Sequence, residues 1–474
     1  MYVSRVGKNL IYQSLYQALK IMMPLITVPI VSHSLGASGV GHYAFTASIA
    51  QYFVMLTALG LPIYGTREIA KVANNIRLLS ENFWNFEFFS IILTFIMIFV
   101  YLIIGIVFDL GKIYFIQSLL VIGAGLDISW LFMGIEDFKK ITVTNFLLQL
   151  VSLILIVTQI HMPSDLTKYT IILTATTLFN QAALWLFLKN KVIFVWPKYT
   201  KMVAAFYGSF LLFIPEVAIV LYTNVNKTML GIIGNKSFVG VFSNAILVTT
   251  VIITLISSID TVLMPHATRL FMNNQYIKGY TMVKNVLDME SYITIAIASG
   301  IIAISDKFAP WFFGNSFGNI PIVLSILSVL VIVIPGGMTI SKQFLIPQGR
   351  IKEYNLSVYM GAILSIIFNI ILIPVMNVVG AAIVSITVEF LIWVIRVCDF
   401  WKYTGLSYDF RQFFSNILSG IAMITIIRLV TNSLSASLLT TFLQVAIGFI
   451  VYVCLTTLSK SNPYVKHVFN FKHK

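Results

Sequence analysis

The sequence predicts an all-α, polytopic integral membrane protein of about fourteen transmembrane helices, and three observations predict it. Hydrophobic residues make up 58% of the chain and charged residues only 10%, against about 25% charged in an ordinary soluble domain. Apolar runs of roughly 20 residues, the length that crosses the hydrocarbon layer, recur from end to end. Stretches such as 91–108 and 321–340 are apolar on every face, unlike the one-sided helices of a soluble core. A transmembrane barrel would instead show segments of about ten residues with alternating polarity.

The predicted spans are 10–32, 42–64, 83–108, 113–134, 142–161, 168–188, 204–228, 240–262, 286–305, 320–340, 355–376, 380–399, 412–431 and 437–458. Arg5 and Lys8 precede the first apolar run, as in a signal peptide. No small-residue cleavage site follows, Lys20 interrupts the run, and Pro24 and Pro29 lie beyond it, which reads as a retained first helix. The segment 66–81, TREIAKVANNIRLLSE, reads as a surface helix, with Ile69, Val72, Ile76 and Leu79 apolar at helical spacing. A weak internal repeat joins VGHYAFTA (40–47), opening the second span, to VGVFSNAI (239–246), opening the eighth. The offset of 199 residues corresponds to six spans. It predicts two six-helix lobes in parallel pseudo-repeat, 1–200 and 201–402, with two further helices and the tail in 403–474 as an appendage.

An even number of spans puts both termini on one side. With that side cytoplasmic, 23 of the 31 basic residues fall in inner segments and four (Lys112, Lys168, Lys236, Lys307) in outer loops. Every inner segment is basic, as orientation by positive charge requires. The net charge of +14 is therefore spread over short loops facing anionic lipid heads, not gathered into a nucleic-acid-binding patch. The six histidines are scattered without metal-ligand spacing. Cys398 and Cys454 stand near the cytoplasmic ends of spans and read as free thiols. The 17 acids do not cluster into a catalytic set, so neither an enzyme nor a cofactor is expected.

Five segments carry a family resemblance: PLITVPIVSHSLGASGVGHYAFTASIAQYF (24–53), LGLPIYGTREIA (59–70), DISWLFMGIEDFKKI (127–141), IPEVAIVLYTNVNKTMLG (214–231) and VGAAIVSITVEF (379–390). In this order, and on these helices, they resemble the Wzx-type polysaccharide flippases of the multidrug/oligosaccharidyl-lipid/polysaccharide (MOP) exporter superfamily. The resemblance implies a bacterial plasma-membrane flippase. It would move undecaprenyl-diphosphate-linked oligosaccharide repeat units from the inner to the outer leaflet by alternating access, ion-coupled, with a polysaccharide polymerase and chain-length regulator as partners. A lipid II flippase and a drug/cation antiporter of the same superfamily remain alternatives. Asn226 stands where such flippases usually carry an acid, and His33 where Arg is common.

Ionisable residues at hydrocarbon depth are costly unless they face a cavity or a partner. Lys20, Asp127, Glu216, Lys227, Glu389, Arg396 and Arg428 meet that description. Glu216, just after the helix-kinking Pro215, is a candidate for ion coupling, with Asp127 and Glu389. Lys20 and Lys227 suit a diphosphate, as compact cations on flexible stems. Donors and ring faces for sugars are Tyr16, Gln17, Tyr43, Gln51, Asn145, Gln149, Tyr222, Asn224 and Asn244. The plainer reading of each is an interhelical hydrogen bond, an ion pair or a snorkelling side chain.

Overall fold

The computed structural model describes the backbone of residues 2–189 and 191–463 and the side chains of 22–189 and 191–463. Its helices are α1 (Tyr2–Ala58), α2 (Leu61–Val72), α3 (Ile76–Val107), α4 (Gly111–Ile116), α5 (Ser118–Gly125), α6 (Ser129–Gly134), α7 (Phe138–Gln159) and α8 (Leu166–Trp185). They continue as α9 (Tyr199–Ile233), α10 (Lys236–Met272), α11 (Tyr276–Phe313), α12 (Ile320–Leu327), α13 (Leu330–Ile340), α14 (Ile351–Thr404), α15 (Phe410–Thr431) and α16 (Leu438–Leu458). No strand occurs among the described residues.

All fourteen predicted stretches fall on these helices. Eleven helical segments among the described residues are long and apolar enough to cross a membrane; two of them, Met22–Val72 and Ile351–Thr404, exceed 50 residues and bend at Gly36 and Asn377, which with α8 is compatible with fourteen crossings. The polarity of burial fits a lipid surround. Phe95, Ile106, Leu211, Leu429 and Phe449 are exposed, while Glu87, Asp260, Thr170 and Asn369 are fully buried. Some buried hydroxyls are satisfied within their own helix, as where Thr174 Oγ1 donates to the Thr170 carbonyl at 2.8 Å.

The breaks are where the structure departs from the predicted spans. The first two spans are joined by a single kink in α1 at Gly36, with φ 66°, a region open to glycine and costly for most other residues. Asn377 (φ 51°) breaks α14 likewise. The single fourth span expected at 113–134 is three pieces, α4, α5 and α6. The expected surface helix at 66–81 is two helices. α2 ends at Val72, and the Asn75 side chain accepts from the amides of Arg77 and Leu78 (both 3.2 Å) to start α3. Ile69 is wholly buried in the protein core rather than in lipid.

The chain divides into two compact units, Met1–Gly240 and Val241–Lys474. In the first unit α9 packs along α1, α2 and α3. In the first unit, Tyr101 and Tyr114 stack with ring centroids 4.0 Å apart. Each hydroxyl donates to the other's carbonyl, at 2.9 and 3.0 Å. In the second unit α11 is the central helix, packed against α12, α13, α15 and α16. The Tyr452 hydroxyl donates to the Tyr292 carbonyl at 3.0 Å, tying α16 to α11.

The repeat segments meet within residues 1–240. A Cβ placed on Gly41 would fall on the Lys236 carbonyl, and one on Gly240 would fall on the Ala37 carbonyl. Only glycine lets the backbones of 37–41 and 236–240 approach so closely.

Candidate functional site

The site is assembled by the DISWLFMG segment. α5 ends at Gly125, and α6 begins at Ser129, whose amide donates to Asp127 Oδ1 at 2.8 Å. The carbonyl of Leu126 that the break frees accepts from Trp185 Nε1 at 2.9 Å, so the interruption leaves that group satisfied. Trp130 is buried, stacked on Phe83 (5.5 Å) and tilted against Phe86 (5.8 Å). Its ring lies so close to α2 that a Cβ on Gly65 would reach it at 2.8 Å. The GTREIA and DISWLFMG segments are thus two sides of one packing contact, with Ile69, Leu131 and Phe132 in the same cluster.

Beside this contact lies a cavity of about 440 Å³, with Trp130 in its wall and Tyr43, Gln51, Ser90, Asp127 and Gln181 as its main polar lining. Tyr43 is held edge-on to Tyr169 (5.1 Å), and its carbonyl accepts from the buried Gln117 amide at 3.1 Å. Trp130 Nε1 is buried without a hydrogen-bond partner. The cavity offers amides, hydroxyls and one carboxylate between apolar walls, the makings of a site for a polar, uncharged or cationic group.

The predicted residues divide as follows. Gln51 and Asp127 line the cavity. Asn145 is buried and donates to the Ile141 carbonyl (2.9 Å), and its Oδ1 accepts from Asn180, so it ties α7 to α8. Asn224 donates to the Val220 carbonyl of its own helix (3.2 Å), while the half-buried Gln149 leaves Oε1 buried without a partner. Tyr222 is half-buried on α9, and Asn244 is buried on α10. Glu216 has one carboxylate oxygen buried without a partner. It forms no ion pair with Lys227, which stands 11 residues on, or about 16 Å along the helix. Lys227 and Glu389 are half-buried. The side chains of Tyr16, Gln17 and Lys20 lie outside the described residues. Three buried acids inside predicted spans escaped the sequence reading: Glu87, Asp260 and Glu290. Each met the criterion that singled out Asp127, a charge at hydrocarbon depth. Both carboxylate oxygens of Glu87 are buried without a hydrogen bond.

Long apolar helices with lipid-facing exteriors and a polar cavity around an interrupted helix in the first unit define a multi-pass membrane protein. The fold is similar to the lipid II flippase MurJ in its inward closed conformation, with TM-score 0.69 and 14% identity over 95% of this chain and 98% of that one. It is also similar to an inward-facing multidrug resistance MATE family transporter of the MOP superfamily, with TM-score 0.63 and 15% identity over 84% of this chain and 99% of that one. The chain belongs to the polysaccharide biosynthesis protein family, which it matches over residues 6–271, more than half its length. It is 25% identical over 396 residues (81% of this chain, 94% of the relative) to the "Putative O-antigen transporter" of Escherichia coli (strain K12). With this family and these relatives, the chain is a polysaccharide-related flippase or transporter.

Proposed function

We propose that this protein flips undecaprenyl-diphosphate-linked oligosaccharide repeat units from the inner to the outer leaflet of a bacterial plasma membrane. It works by alternating access with ion coupling, and both termini are cytoplasmic. The observation that carries this reading is the polar cavity in the first unit, built by the segments that resemble the polysaccharide flippases. In it Gln51 and Gln181 hydrogen-bond sugar hydroxyls, and Tyr43 offers a ring face. The cavity of about 440 Å³ holds part of a repeat unit, with the polyprenyl tail left in lipid. Lys20 and Lys227 meet the diphosphate, and removing either lysine lowers flipping at normal protein levels. Glu216, Asp127 and Glu389 are the sequence's candidates for the coupling ion, and the polymerase and chain-length regulator act on the product.

The test is translocation in proteoliposomes loaded with fluorescent undecaprenyl-diphosphate oligosaccharide, read by the access of an added glycosidase. Time-dependent exposure that needs the protein supports the reading. Exposure of lipid II alone, or uptake of organic cations alone, overturns it in favour of the corresponding MOP alternative.

A further inference from the structure

The second unit buries two carboxyl groups that form no ion pair among the described residues. Asp260 on α10 is fully buried and Glu290 on α11 nearly so. Between them stands Thr339 of α13, whose Oγ1 lies 2.7 Å from Asp260 Oδ1 and 2.6 Å from Glu290 Oε2. Gln343, also fully buried, donates from Nε2 to the same Asp260 Oδ1 at 2.8 Å. Gln343 lies in a π-helical turn, Ser341–Leu345, that follows α13; such turns recur at functional positions in helices. Asp260 Oδ2, Glu290 Oε1 and Gln343 Oε1 are buried without a hydrogen-bond partner. The site therefore has an excess of acceptor oxygens that its own donors do not fill.

Counting hydrogens assigns what fills it. A threonine hydroxyl has one proton and can donate once. Its two contacts, both at hydrogen-bond length, therefore need a second proton, carried by one of the carboxyls. Asp260 Oδ1 already accepts from Gln343, which marks it as the ionised acceptor. The chain then runs from Glu290 Oε2–H to Thr339 Oγ1, and from Thr339 Oγ1–H to Asp260 Oδ1. Two bare carboxylates here would leave two uncompensated charges in a low-dielectric interior, which costs far more than one proton bound.

The surrounding charged groups are otherwise engaged. On α11, Lys284 pairs with Asp288 at 2.6 Å, and Asp288 Oδ1 accepts the Asp409 amide ahead of α15 at 2.9 Å. Lys342 acts on Asp260 electrostatically, but its ammonium donates to Thr261 Oγ1 (3.1 Å) in an exposed position. On α14, Arg396 bonds Ser357 Oγ (3.1 Å) and the Gly337 carbonyl (3.2 Å). The Tyr408 hydroxyl, before α15, accepts from Trp393 Nε1 at 3.1 Å. α12 and α16 bring no acidic or basic residue.

We infer that Glu290, Thr339 and Asp260 form a proton-binding site in which Glu290 carries the proton, linking α10, α11 and the π-turn end of α13. Releasing the proton breaks the hydroxyl bridge and sets two carboxylates against each other, which gives the turn a second arrangement. The proton's use as coupling ion rests on the transport reading above; its presence does not.

Infrared difference spectra of the protein in nanodiscs across a pH titration test it. The expected result is a protonated-carboxyl band in the wild type that Glu290→Gln abolishes, that Thr339→Val shifts and that Thr339→Ser leaves in place. A band removed by Asp260→Asn but unchanged in Glu290→Gln overturns the assignment, as does a wild type without such a band. A band that vanishes on adding sodium at constant pH makes this a sodium site and overturns it too. If Glu290→Gln does not fold, the Thr339→Val shift decides alone: no shift sinks the proposal. The intact band in a protein that flips no oligosaccharide leaves the proton site standing and removes the transport reading.

Discussion

The two units bury acids in opposite ways. In the first, Asp127 lines an open cavity and Glu87 lies buried with neither oxygen hydrogen-bonded. In the second, Asp260 and Glu290 are knitted into a closed set by Thr339 and Gln343. A cavity with spare donors suits a cargo that comes and goes, because water can take its place between visits. A sealed cluster suits only an ion small enough to enter without leaving a void. What separates the two settings of the same residue type is room: Asp127 lies open to a cavity, and the Asp260–Glu290 set does not.

Four substitutions test that contrast, ordered by their effect on stability. Trp130→Ala should cost about 3–5 kcal/mol, since the indole fills the contact that shapes the cavity wall; thermal unfolding in detergent measures it, and a loss below about 1 kcal/mol would show that the cavity does not depend on this contact. Gln343→Leu should cost about 1–3 kcal/mol, because Asp260 Oδ1 loses a donor in a sealed site. A neutral result there would mean that water reaches the cluster and that the two units are alike.

Asp137, between α6 and α7, gives a smaller effect with a pH signature. Burial alone would raise its carboxyl, but the Lys191 hydrogen bond and the charges of Lys191 and Lys140 outweigh it and hold the group below its ordinary value. A depressed carboxylate stabilises the fold above its unfolded pKa, and that contribution is lost as pH falls through the folded one. Asp137→Asn should therefore lower stability by about 0.2–1 kcal/mol at neutral pH, with the difference closing in acid when unfolding is followed from pH 7 downward. Gln51→Leu, on the exposed cavity lining, should change stability by less than about 0.5 kcal/mol while cutting oligosaccharide flipping several-fold. Unaltered flipping would take Gln51 out of the cargo's path.

The helices were legible because about 20 apolar residues admit few other structures in lipid. Their breaks were not. Gly36 and Asn377 each turn the chain with one positive φ, which leaves the composition of an apolar run unchanged. The division of 66–81 was half-visible: Asn75 is a good helix starter, but the regular spacing of Ile69, Val72, Ile76 and Leu79 concealed it. At the site, Asp127 and Gln51 stood out as polar residues in apolar runs. Asn145 stood out equally and is taken up by Asn180, a partner 35 residues away that no local pattern announces. Glu87, in the aromatic run NFWNFEFF, and the Asp260–Glu290 set carried the same signal as Asp127. Their grouping was hidden because Thr339, the residue that joins them, is 49 positions from one acid and 79 from the other.

The glycine contact in the first unit has the form of an interface between two identical molecules. Gly41 faces the carbonyl of residue 236 and Gly240 that of residue 37, and the equivalent positions, 41 with 240 and 37 with 236, stand 199 residues apart, the offset of the repeats. In a two-fold dimer, residue i of one subunit meets residue j of the other, and j meets i. Here one polypeptide supplies both sides. In a true homodimer a single mutation strikes both sides at once; here the symmetry can be broken half at a time. Gly41→Ala and Gly240→Ala strike different carbonyls, so comparing each single variant with the double measures whether the two halves of this contact yield independently or give way as one.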